Sequence, residues 1–380
     1  MAATIPEPSY SCKLPYTADC VESFPYKLDD QQLGASILDN NAINYQLEDF
    51  GGRFILGMYQ LKKSQDKDTR VGQLIVADYF QKKLQKTGEL IKRQIIETVG
   101  VFDIKWSYNL VNGHQLLGQA GSDGKLAIYN TTKSEDSWLD KVVESGSFGE
   151  DNMCLSLDWS NRIHKEENVK IACSYSDGSI NVFQLDNQST LNSICSTKAH
   201  GFEAWIVAFD YHNTDTIYSG GDDGLFKRWD IRENGYNHCN FTSKRHGAGV
   251  CSIQSNPHKE NILASGSYDE MVYIWDNRNM KSPMLEYYAG GGVWRLKWNQ
   301  NDTDKLLVAA MHNGVDVVNI NGLKEASNGD YGSDLTVQQL SHFDKHESMA
   351  YGADWGYSFN NSLDDNLIGR RTMMALVHRH

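Results

Sequence analysis

Ile217-Tyr218-Ser219-Gly220-Gly221-Asp222-Asp223-Gly224, a variable run, then Trp229-Asp230 is one half of the stretch that decides the fold. Ile262-Leu263-Ala264-Ser265-Gly266-Ser267-Tyr268-Asp269, then Trp275-Asp276, is the other. In each, a short apolar run reaches Ser-Gly, turns at an Asp and leaves on an alternating strand. A histidine precedes each copy, His200 and His246. The Gly and Asp residues supply the backbone freedom of a tight hairpin turn, and the following strand alternates its faces. A repeat of about 40–45 residues is the period of a propeller blade. One four-stranded blade buries only part of its apolar surface, so copies must stack around an axis. Asp223, Asp269, His200 and His246 therefore read as scaffold hydrogen-bonding residues rather than catalysts.

Working outward, further copies follow with variation. Gly100–Trp106 opens a blade whose turn is Gly121-Ser122-Asp123-Gly124, with Tyr129 in the Trp position. Cys154–Trp159 opens the next, with turn Ser176-Asp177-Gly178 and Phe183 in the Trp position. Gly290-Gly291-Gly292-Val293-Trp294-Arg295-Leu296-Lys297-Trp298 opens a sixth, in which Asn313 replaces the turn Asp. Tyr351-Gly352-Ala353-Asp354-Trp355 begins a seventh that has no Ser-Gly turn or Trp-Asp after Asn366. Before them, Asp19–Phe24 and Phe54–Tyr59 read as strands of a divergent first blade, split by the polar insertion Asp29–Asp49 and followed by a basic tip at Lys62, Lys63, Lys67 and Arg70. The expectation is an all-β, seven-bladed propeller with a degenerate last blade. Residues 1–16 form a tail that helps close the ring, and blades fall near 17–93, 97–140, 150–192, 200–243, 246–285, 290–325 and 346–380.

The chain has 380 residues and a formal charge of −13, which argues against a general nucleic-acid binder. Its seven cysteines include no CxxC pair, as suits a reducing compartment. The first residues show neither a basic nor an apolar leader segment, and no apolar run approaches membrane-spanning length. A cytoplasmic protein without a membrane span is expected. No GxSxG elbow or HExxH motif occurs, and neither a metal site nor a cofactor is expected.

Aligning the repeats places Ser122, Ser176, Asp222, Tyr268 and His312 just before the turn Asp or its equivalent, and Phe102, Leu155, Trp205, Val250, Trp294 and Tyr351 near the starts of inner strands. Four of the latter six are aromatic, which reads either as an apolar-rimmed mouth or as packing of the blade tops. His312, Asp222 and Glu203 are the most reactive groups at that end. An imidazole beside a carboxylate can activate water.

The stretches Phe202-Glu203-Ala204-Trp205-Ile206, Tyr218–Asp223, Ser265–Glu270, Gly290–Trp298 and Tyr351–Trp355 resemble a family of WD-repeat proteins, the diphthine methyl esterases of diphthamide biosynthesis. The Ser-Gly and Trp-Asp parts are common to all WD repeats; the triple-Gly and Phe-Glu-Ala-Trp parts are far more specific. The resemblance implies a carboxylic ester hydrolase that demethylates methylated diphthine, a modified histidine of translation elongation factor 2, and so frees a carboxylate for amidation. Other diphthamide biosynthesis proteins are possible partners. No family motif assigns catalytic roles, so these come from the repeat alignment. His312 is the base, and Asp222 or Glu203 is its orienter or an alternative base. Backbone N–H groups of Gly290, Gly291 and Gly292 are oxyanion donors. Trp205, Trp294 and Tyr351 hold the substrate's trimethylammonium group by cation–π contact. Arg295 pairs either with a substrate carboxylate or within its blade. Two other classes stand beside this one: a non-catalytic adaptor for diphthamide synthesis, and a substrate receptor of a cullin-type ubiquitin ligase, from Trp229-Asp230-Ile231-Arg232 and Trp275-Asp276-Asn277-Arg278.

Overall fold

The computed structural model describes residues 14, 16–25, 50–64, 68–81, 88–132, 137–149, 151–232, 239–323, 335–346, 348–356 and 373–378. The expected tail at 1–13, the insertion between 29 and 49, Lys67, residues 324–334 and the 357–372 portion of the last blade lie outside the described residues.

Each blade is an antiparallel meander numbered from the axis outward. Blade 1 comprises β1 (Thr17–Ser23), β2 (Phe50–Lys62), β3 (Thr69–Gln81) and β4 (Gly88–Val99). Blade 2 comprises β5 (Val101–Trp106), β6 (Leu116–Gly121), β7 (Leu126–Thr131) and β8 (Leu139–Glu144). Blade 3 is β9 (Cys154–Trp159), β10 (Val169–Tyr175), β11 (Ser179–Leu185) and β12 (Leu191–Lys198). Blade 4 is β13 (Ile206–Phe209), β14 (Thr216–Gly220), β15 (Phe226–Asp230) and β16 (Cys239–Ser243). Blade 5 is β17 (Val250–Ser255), β18 (Ile262–Ser267), β19 (Met271–Asp276) and β20 (Leu285–Tyr288). Blade 6 is β21 (Arg295–Trp298), β22 (Lys305–Ala309), β23 (Val315–Asn321) and β24 (Thr336–Phe343). Blade 7 pairs β25 (Met349–Trp355) with β26 (Met373–His378), so the C-terminal stretch that breaks the repeat pattern still supplies a strand. The only helix among the described residues is one 3-10 turn at Ser160–Arg162, and no helix there is long and apolar enough to cross a membrane.

The inner strands form a closed ring of seven, β1 packing on β5 at one side and on β25 at the other. Closure is polar as well as apolar. The Ser23 N–H donates to Asp354 (2.7 Å) and its hydroxyl to the Trp355 carbonyl (2.5 Å).

The cores lie between blades. Phe226 and Tyr218 of blade 4 pack with Val250, Leu263 and Trp275 of blade 5. This explains the Ser-Gly pair. A Cβ at Gly220 would stand 2.6 Å from Val250 Cγ1, and one at Gly266 2.3 Å from Val293 Cγ1, so only glycine admits the next blade's inner strand. The turns that follow need a left-handed residue. Gly124, Gly178, Gly224 and Gly314 fill it, and Glu270 takes it in blade 5 at φ 68°.

The histidine, serine and tryptophan of each full repeat form one buried chain. His246 bonds Asp269 through Nδ1 (3.0 Å) and Ser265 through Nε2 (2.8 Å), and Trp275 Nε1 donates to the same serine (2.8 Å). His200, Asp223, Ser219 and Trp229 repeat the arrangement in blade 4. Because the indole can only donate, the serine hydroxyl is left to donate to Nε2, which places the imidazole proton on Nδ1, facing the carboxylate.

Candidate functional site

The inner strands do not run straight to the end of the axis that carries the turns. Pairing skips Asp19 in β1, Phe102 in β5, Leu155 in β9 and Cys251 in β17, and Tyr351-Gly352 in β25. Such bulges re-aim a side chain. Trp205 and Trp294 stand just before β13 and β21. All seven inner strands thus bring one side chain to a common level. Asp19, Phe102, Leu155, Trp205, Cys251 and Trp294, together with Ser156 and Arg295, line one small axial cavity.

Trp294 is the centre of this mouth. Its ring lies 5.6 Å from Trp205, 5.9 Å from Tyr268 and 5.0 Å from Tyr351, the last two edge-on. Tyr268 is 41% exposed, so the cluster opens to solvent. Trp205 Nε1 donates to Asp222 (3.0 Å), and the Asp222 N–H donates to the Glu203 carbonyl (2.9 Å). Gly292 abuts this cluster, since a Cβ there would lie 3.2 Å from Tyr268 Cδ1. Among the described residues no hydrogen bond leaves the N–H groups of Gly291 and Gly292.

Three expectations change. Val250 does not face the mouth. The bulge turns Cys251 to the cavity, and Val250 is buried between blades 4 and 5. His312 is exposed and forms no hydrogen bond with Asp222 or Glu203 among the described residues, so the expected base–orienter pair is not assembled; the Asp222 carboxylate holds the Trp205 indole instead. Arg295 is buried and reaches across the axis to Asp103 of blade 2 (3.2 Å), not to a partner within its own blade.

Sequence reasoning missed the buried charges below the mouth. Lys105 stands 3.8 Å from Asp103 and 3.6 Å from Asp158. Lys297 pairs with Glu22 and lies 3.9 Å from Asp354. Burial pushes the Glu22 carboxyl up to about 7 even against the pull of Lys297. Burial likewise raises Asp19 to about 7, outweighing Arg295, with Asp103 adding to the rise. The signal for these groups was a charged residue in place of an apolar one within an inner strand. No group of three or more metal-ligating side chains forms among the described residues.

The family model for the WD domain, G-beta repeat, matches residues 237–276. One solved structure, the crystal structure of a mitotic checkpoint complex, contains a chain that superposes with TM-score 0.54 over 93% of this chain and 90% of that one, at 16% identity, which is a likeness of fold. A mouse protein named diphthine methyltransferase is 38% identical over 80% of this chain and 64% of its own length, just under two thirds. The human protein of that name is 36% identical over 81% of this chain and 70% of its own. A Dictyostelium discoideum homolog is 33% identical over 94% of both. With relatives this similar over most of both chains, the chain belongs to the diphthine methyltransferase family of WD-repeat proteins.

Proposed function

We propose that this chain acts on diphthine of translation elongation factor 2 and hydrolyses the methyl ester of its methylated form. The observation that carries the reading is the solvent-open aromatic cluster of Trp205, Trp294, Tyr351 and Tyr268 beside glycines whose N–H groups have no partner among the described residues. A quaternary ammonium is attracted to such faces, and unpaired backbone donors suit a developing oxyanion. Relatives named for diphthine supply the substrate class. Their name speaks of methyl transfer; in this reading the methyl group leaves as methanol.

Water attacks the ester carbonyl, His312 takes its proton, and the N–H groups of Gly291 and Gly292 face the oxyanion. Collapse expels methoxide, which takes the proton back. Ester and water thus become carboxylic acid and methanol, and the acid ionises. Asp222 and Glu203 contribute rim charge, and Asp222 fixes the Trp205 indole. Arg295, paired across the axis, holds the floor. The ligase-receptor reading draws less support, because Arg232 and Arg278 each fold back onto the Asp of their own motif at 2.5 Å.

Incubation of purified chain with methylated elongation factor 2 should release methanol and lower the factor's mass by one methylene. His312→Gln should reduce that rate at least ~10²-fold with an unchanged melting temperature, since the ring is exposed. Wild-type protein that binds the factor and releases no methanol is the adaptor. A gain of methyl groups by the factor would make it a transferase.

A further inference from the structure

The mouth carries one residue from each of the seven blades, and one place in seven is a carboxylate: Asp19, between Phe102 of blade 2 and Tyr351 of blade 7. Asp19 is 5% exposed and lines the cavity. Every other buried carboxylate of the channel has a cation or a backbone donor. Asp103 has Arg295 and Lys105, Asp158 has Lys105 and the Phe209 N–H, and Glu22 and Asp354 share Lys297. Asp19 forms no ion pair or hydrogen bond among the described residues. A buried, unpaired carboxylate is costly, and the aromatic rings above it are the surface that attracts an alkylammonium ion.

We infer that Asp19 is the counter-ion of a quaternary-ammonium site, selecting a permanently cationic group over a neutral group of the same shape. The inference rests on the mouth proposed above but not on ester hydrolysis. The ammonium supplies Asp19 with a cation of its own, Arg295 being engaged by Asp103, and its methyl groups rest against the Trp205, Trp294 and Tyr351 rings.

Binding is then linked to a proton. The groups facing Asp19 are Tyr59 on β2, Asp103 on β5, Cys251 on β17, Arg295 on β21, Tyr351 on β25, the turn residue Tyr268, and Cys20 and Glu22 on its own strand. Arg295 is held by Asp103, and the thiols and phenols are raised and neutral near pH 7. Burial has carried Asp19 to about 7, so a cation must first displace its proton at lower pH.

The test compares choline with its neutral carbon isostere, 3,3-dimethylbutan-1-ol, by calorimetry on the full chain. Wild-type protein should bind choline at least about tenfold tighter than the alcohol at pH 8, and the preference should shrink by about tenfold per unit of pH below 7. Asp19→Asn should lose most of that preference and all of its pH dependence, keeping only the part the rings supply. Equal binding by wild-type protein, or an undiminished choline preference in Asp19→Asn, overturns the assignment. Should Asp19→Asn not fold, the wild-type pH series decides, and a preference flat from pH 5.5 to 8 sinks it. Choline binding that depends on Asp19, in a chain that releases no methanol, keeps this inference and removes the esterase.

Discussion

Trp275→Ala should cost about 3–5 kcal/mol of folding stability, the range for deleting a fully buried aromatic side chain. Trp275 is 1% exposed and lies against Phe226 of the neighbouring blade (5.5 Å) and Tyr273 (5.8 Å, edge-on). Its removal opens a cavity at a blade–blade contact rather than at a surface. It also removes the indole donor from Ser265, whose hydroxyl holds His246. Asp269→Ala attacks the other end of the same chain. Burial alone would raise the Asp269 carboxyl. The hydrogen bond from His246, with the N–H groups of Gly247 and Met271, holds it below the usual range instead. Losing those acceptors from a buried site costs about 1–3 kcal/mol. Urea unfolding checks both: the midpoints should fall, Trp275→Ala by more, with the slope unchanged. A wild-type midpoint for Trp275→Ala means the tryptophan does not sit in the blade core.

The same chain shows why much of the fold is legible in the sequence. Ser-Gly, the turn Asp and Trp-Asp recur because each solves a fixed problem of blade stacking, so period and chemistry repeat together in blades 4 and 5. Once those copies are aligned, Trp205, Trp294 and Tyr351 fall at equivalent places, and the structure brings them into contact. The alignment misses by one residue at Val250. A bulge carries no sequence signature, and a one-residue slip exchanges the faces of a strand. Asp19 is hidden for a related reason. Blade 1 lacks Ser-Gly and Trp-Asp, so nothing fixes its register, and Asp19–Phe24 reads as an inner strand without showing which residue meets the axis. Arg295 is ambiguous in sequence because its partner, Asp103, lies four blades earlier in the chain and across the axis in space. Such a pair has no periodicity to reveal it.

The cross-axis charges lead to the other large effect. Lys297 is 3% exposed and stands between Glu22 of the first blade and Asp354 of the last, the two blades that close the ring. Lys297→Met keeps the volume and removes the cation, leaving two buried carboxylates, and breaking a buried pair in this way costs about 3–5 kcal/mol. The cost should depend on pH, and its sign follows from Glu22. Burial raises that carboxyl from 4.5 to about 7, with Lys297 opposing the rise. A carboxyl raised on folding adds stability that is fully present below its unfolded value and is lost as pH rises through its folded one. Asp19, raised from 3.8 to about 7, acts in the same direction. His200 opposes them, because burial lowers its imidazole below 6.5, so the unfolded chain takes up that proton first. Two carboxyls against one imidazole leave the wild-type protein more stable at pH 5.5 than at pH 8, by about 2 kcal/mol. Without Lys297 the Glu22 carboxyl rises further and the slope steepens. Urea midpoints for Lys297→Met should therefore fall far below wild type at pH 8 and recover much of the difference at pH 5.5, where Glu22 is protonated and one uncompensated charge is gone. An equal loss at both pH values would show that Lys297 contributes by packing its stem rather than by its charge, and that the ring closes without the ion pair.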